Sequence, residues 1–280
     1  MVGPGLLLLH PVAQISWTSW TVHWSTVAGL VALAALYEWR SRVHGAAPTL
    51  AQRLYFYAAL VSVFVSLNGP LHDLSDSFLF SAHMVQHLVL TLIFPPLLLL
   101  GVPGWMLRPL LLHPRVAPVA RRLTRATWGF TIFNVTIAVW HLPPLYNAAV
   151  AHHPLHIVQH LMFMGTAVLM WWPLLSPLPE LPRLAYPGQM LYCFLMVIPM
   201  SIVSIYIAMA DTILYPAYAS APRVWSISPM LDQQLGGLIM WIPGGLFFYV
   251  VMTFVFFKWA GRGVDDTAGA QVDWRPARGA

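Results

Sequence analysis

Residues 82–103 read Ala82-His-Met-Val-Gln-His-Leu-Val-Leu-Thr-Leu-Ile-Phe-Pro-Pro-Leu-Leu-Leu-Leu-Gly-Val-Pro103, with no Asp, Glu, Lys or Arg in the run. A bilayer's hydrocarbon core is about 30 Å thick and a helix rises about 1.5 Å per residue, so roughly 20 apolar residues cross it. Six further stretches are read in the same way: 22–39, 54–71, 127–141, 155–175, 186–210 and 235–257. The stretch 127–141 is short and contains Asn134, yet Trp128 and Trp140 bracket it as interfacial anchors do. Pro95, Pro96, Pro199 and Pro243 lie inside spans, where neighbouring helices can satisfy the carbonyls that proline frees.

Composition agrees with that reading. Of 280 residues, 59% are hydrophobic and 8% charged, whereas a soluble domain carries about 25% charged residues. Lipid is therefore the solvent. The expected fold is an all-α integral membrane protein, a seven-transmembrane helix bundle. Thirteen of the fourteen basic residues fall in alternate connections and the C-terminal tail, on one side of the bundle; only Arg223 falls on the other. The positive-inside rule makes the basic side cytoplasmic, with the N-terminus outside and the C-terminus in the cytoplasm. Residues 1–20 are expected to form a short outer tail, 21–260 a single seven-helix domain, and 261–280 a disordered cytoplasmic tail. Residues 1–20 have no basic n-region, so they are read as an exported tail and not as a cleaved signal peptide. The net charge of +5 is spent on topology, which sets nucleic-acid binding aside. Cys193 is the single cysteine, so no internal disulfide or CxxC metal motif exists.

Histidine played no part in the topology, and ten of the twelve fall at the outer side; only His44 and His113 fall at the cytoplasmic side. Two segments repeat one pattern at the outer ends of spans: His83-Met-Val-Gln-His87 and His156-Ile-Val-Gln-His160. Residues i and i+4 share a helix face, about 6 Å apart along the axis, so each pair can grip one ion and two helices can converge both pairs. Met164 continues the second stripe as a candidate thioether ligand, or as packing. His141 ends the fourth span and is a fifth candidate. Asp232 and Asp211, at outer helix ends, are candidate cation-attracting or imidazole-orienting carboxylates; Asp232 also suits a helix cap. Imidazole and thioether donors suit copper as Cu(I). The same pairs also suit bis-histidine haem ligation in an electron-transfer protein. A histidine-box di-iron enzyme fits worse: the order His152-His153-x-x-His156 reverses the usual box, and such boxes face the cytoplasm.

Taken jointly, His83-Met-Val-Gln-His87, Trp140-His141 with Pro143 and Tyr146, His156-Ile-Val-Gln-His160, Asp232-Gln-Gln-Leu-Gly-Gly237 and Met240-Trp-Ile-Pro-Gly244 resemble the polytopic CtaG family of cytochrome c oxidase assembly factors, over roughly residues 20 to 260. The resemblance implies a non-enzymatic membrane assembly factor for haem–copper cytochrome c oxidase in the cell inner (plasma) membrane, crossing it several times. It implies oxidase subunits as partners, copper delivery at the outer side, and a periplasmic copper chaperone as candidate donor. A metal-free assembly scaffold with structural histidines is the alternative within the same family role.

Overall fold

In hydrocarbon every backbone polar group must be paired within the chain, which leaves helices as the solution for apolar runs of this length. The computed structural model describes residues 20–43 and 45–270, with side chains to residue 261, and contains no strand among the described residues. The order is α1 (Trp24–Val43), α2 (Leu50–Leu67), α3 (Gly69–Ser77), α4 (Phe80–Leu88), a π turn (Val89–Ile93), α5 (Phe94–Gly101), α6 (Gly104–Leu111), α7 (Ala117–Leu123), α8 (Ala126–Trp140), α9 (Pro143–Ala151), α10 (His153–Leu175), α11 (Tyr186–Ala208), α12 (Pro216–Ala219) and α13 (Pro229–Ala270).

Among the described residues, five helices are long and apolar enough to cross a membrane: Leu50–Leu67, Phe80–Gly101, His153–Leu175, Tyr186–Ala208 and Pro229–Gly261. They carry the second, third, fifth, sixth and seventh expected spans. The expected first span falls on α1, whose last turns hold Glu38, Arg40 and Arg42. The fourth falls on α8, apolar but only 15 residues long, hence about 22 Å. The tails expected over 1–20 and 261–280, with His10 and His44, lie outside the described residues, apart from Trp20, Gly261 and the helical backbone that continues to Ala270.

Three local features place the site. The first is the π turn, which begins two residues after His87 and interrupts the span that carries the first histidine pair. Pro95 has no N–H to return to Thr91, four residues back; the Trp171 indole of α10 donates to the Thr91 carbonyl instead, at 2.9 Å. Thr91 Oγ1 in turn donates to the His87 carbonyl at 2.7 Å. α4 is thereby locked to α10, the helix that carries the second pair.

The second is α13, where a side chain at Gly236 would enter the Phe80 ring and one at Gly237 would meet the backbone of Ala208. The absent side chains let α13 approach both α4 and α11 closely. Third, the segment before α1 is pinned to α3: His23 N–H donates to Asn68 Oδ1 (2.7 Å), Thr21 Oγ1 to Asp73 Oδ2 (3.0 Å), and Gly69 N–H to Thr21 O (3.0 Å). Gly69 has φ +69°, a left-handed conformation that glycine adopts without a Cβ penalty.

Candidate metal centre

α4 starts at Phe80 because Asp232, fully buried at the first turn of α13, caps it from across the bundle. Asp232 Oδ2 accepts from Phe80 N–H (2.7 Å), and Oδ1 accepts from Ser81 N–H (3.0 Å) and Ser81 Oγ (2.6 Å). The first N–H groups of a helix have no partner within it, and a carboxylate there also meets the positive end of the helix dipole. The neighbouring Gln233 holds the preceding loop: its amide donates to Thr212 O (3.1 Å), and its Oε1 accepts from Leu214 N–H (2.7 Å). One short stretch of α13 therefore fixes both the start of α4 and the loop that leads to Tyr215 and Tyr218.

From that fixed start, His83 and His87 project one turn apart into the bundle with their Nε2 atoms 2.8 Å apart. His156 and His160 do the same on α10, at 3.1 Å. The pairs meet. Ring centroids are 5.1 Å apart for His83 and His156, 5.8 Å for His83 and His160, and 5.5 Å for His87 and His160. One donor atom from each of His83, His87 and His160 lies within 4.8 Å of the others, and so do those of Asp76, His83 and His156; all five residues are buried. His141, at the end of α8, joins the group with its ring 5.7 Å from that of His87 and stacked on Phe163.

The remaining sequence candidates lie elsewhere. Met164 is half-buried beyond His160 and packs with the cluster of Ala59, Val63, Leu90 and Phe94. Asp211 is exposed, and the carboxylate of Asp232 is engaged at the start of α4. Sequence reasoning did not single out Asp76 and His72 of α3 as site residues. Asp76 Oδ2 stands 3.5 Å from His72 Nε2 and 3.8 Å from His156 Nδ1. The spacing His72-x-x-x-Asp76 repeats the i,i+4 period of the two histidine pairs, and that was the available signal.

Hydrogen bonding sets which nitrogens carry lone pairs. Tyr218 has one hydroxyl proton, and it goes to the Ser75 carbonyl at 2.8 Å. The phenol oxygen, 2.7 Å from His83 Nδ1, must therefore accept from that nitrogen, which leaves the His83 Nε2 lone pair pointing into the cluster. Tyr146 adds a second, longer bond to the same oxygen, at 3.4 Å. Burial pushes the phenols of Tyr146 and Tyr218 well above the usual range, so both remain neutral O–H groups. His141 follows the same logic, because Nδ1 at 2.7 Å from the Ile137 carbonyl must donate, so Nε2 holds a lone pair.

His141 Nε2 and His87 Nδ1 are buried without a hydrogen-bond partner. Such groups are rare because each costs on the order of 1–3 kcal/mol. A cation held at His141 Nε2 would remove its share of that cost. Metal–imidazole bonds of about 2 Å place tetrahedral donors roughly 3.3 Å apart, so the 2.8 and 3.1 Å pairs need only a slight opening. The donor set is nitrogen-rich with one carboxylate beside it, which suits a transition-metal ion and not Mg²⁺ or Ca²⁺.

Comparison with known proteins adds the biological frame. The family described as cytochrome c oxidase caa3 assembly factor (Caa3_CtaG) matches residues 30–262. Over 203 residues the chain is 28% identical to uncharacterized proteins of Mycobacterium bovis and Mycobacterium tuberculosis, and 25% identical to one of Mycobacterium leprae. Each alignment covers 66% of this chain and 30% of the relative, so the chain spans less than a third of the curated relatives it matches. No solved structure matches it.

Proposed function

Because the chain belongs to the cytochrome c oxidase caa3 assembly factor family, we propose that it assembles the oxidase by holding copper in its histidine cluster and delivering it to oxidase subunits. The observation that carries this reading is the buried convergence of His83, His87 and His160 from two helices. Copper is favoured over other imidazole-loving metals by the family role, since haem–copper oxidases require it. Direct Nε2 contact within each pair favours a small ion over a porphyrin, which would need a planar slot between the rings. Asp76, His156 and His141 complete the donor set around the triad. The bundle acts as a seven-span protein of the cell inner membrane, with α1 and α8 as the additional spans, and the cluster faces outward, opposite the arginine-rich connections. A periplasmic chaperone supplies the copper.

The test is complementation. In cells lacking the native copy, the wild-type chain is expected to restore oxidase activity and oxidase-bound copper, whereas His83→Ala/His160→Ala at matched protein level lowers both by about tenfold or more. Full restoration by the variant would leave the chain as a metal-free scaffold.

A further inference from the structure

The triad is enclosed, with His83 at 0%, His87 at 3% and His160 at 6% exposure. Of the three, His160 lines the neighbouring cleft together with His156, and a bare ion in a low-dielectric interior is prohibitively costly. A cleft of about 640 Å³ between α1, α2 and α10 leads to it, and its polar wall is graded. His153 is exposed, His23 is half-buried, and His72 and Asp76 are buried at 6% and 2%. The steps are short: ring centroids are 6.3 Å apart for His153 and His23 and 4.4 Å for His23 and His72, and His72 Nε2 is 3.5 Å from Asp76 Oδ2. His156 is the junction, with Nδ1 toward Asp76 at 3.8 Å and Nε2 toward His160 at 3.1 Å. The opposite end of the cleft is apolar, with Leu33, Leu161 and Val168 on its walls.

Resting on the reading that the triad binds a transition-metal ion, we propose that this imidazole–carboxylate row is the loading route, and that the ion passes from His153 and His23 through His72 and Asp76 to His156 and the triad. At each step the next donor binds before the previous one leaves, so the ion keeps its coordination and its oxidation state throughout. Asp76 draws the cation inward, and the imidazoles carry it past the apolar wall.

The full-length protein in detergent is mixed with Cu(I) held by a chromogenic chelator, and transfer is followed by loss of the chelator complex's absorbance. His153→Ala alone, and His23→Ala/His153→Ala together, are expected to bind as much copper at the end point as wild type but to take it up more slowly, about tenfold for the double variant. Gly165→Leu is the steric control. It sits at the apolar end of the cleft, where an added Cβ meets nothing within 4 Å, and is expected to load at the wild-type rate. The proposal is overturned if the double variant loads at the wild-type rate. It is equally overturned if the double variant loses end-point copper, which would make these residues ligands and not a route, or if Gly165→Leu slows loading as much. The underlying site fails separately, if His83→Ala/His87→Ala/His156→Ala/His160→Ala still binds wild-type amounts.

Discussion

A single hydroxyl decides the chemistry of His83. Tyr218 gives its proton to Ser75 O and so must accept from His83 Nδ1, which aims the other lone pair at His87. Tyr218→Phe removes the acceptor and frees the imidazole to adopt the wrong tautomer. Copper affinity, measured by competition with a Cu(I) chelator, is expected to fall about 10–100-fold, and the thermal midpoint of the copper-free protein to fall as well, because Ser75 O and His83 Nδ1 lose a buried partner. Tyr146→Phe, which loses only a 3.4 Å bond to the same oxygen, serves as the comparison and is expected to have a much smaller effect. The paired histidines were legible in the sequence because i,i+4 spacing puts both rings on one helix face whatever surrounds them. The tautomer was not legible, because it depends on a phenol 135 positions away. Asp76 and His72 carried the same spacing, but on a short polar helix whose inward orientation follows from its attachment to the residues before α1.

At the scale of elements, hydropathy located the five helices that are long and apolar enough to cross a membrane, because lipid imposes one rule on every apolar run. The interruptions escaped it. The π turn after His87 arises where Pro95 withdraws an N–H and Trp171 supplies a replacement, a pairing between two helices that no local pattern encodes. The Asp232-Gln-Gln-Leu-Gly-Gly237 segment was legible as a marker and as a candidate cap, but not as the cap of a helix 152 positions earlier. Its glycines act by letting α13 meet Phe80 and Ala208. Asp232→Ala leaves the Phe80 and Ser81 N–H groups buried and unpaired, and is expected to cost about 2–4 kcal/mol. Thermal unfolding in detergent should show a lowered midpoint, and Asp232→Asn, which keeps one carbonyl acceptor, an intermediate one. An unchanged midpoint for the alanine variant would mean that α4 does not depend on this cap.

At the scale of the whole molecule, two helices distant in sequence bring four imidazoles to one depth, and α13 and the α12 loop hold them there. The architecture concentrates buried nitrogen donors beside one carboxylate, which is a costly arrangement without a cation to share them. X-ray absorption at the copper K-edge of the Cu(I)-loaded protein tests this most directly. The expected spectrum shows imidazole nitrogens at about 2 Å with the outer-shell scattering of at least three rings. It collapses when His83, His87, His156 and His160 are replaced by alanine. Copper that fails to bind tightly, or that binds with the same spectrum in the four-alanine variant, would contradict the shared histidine site.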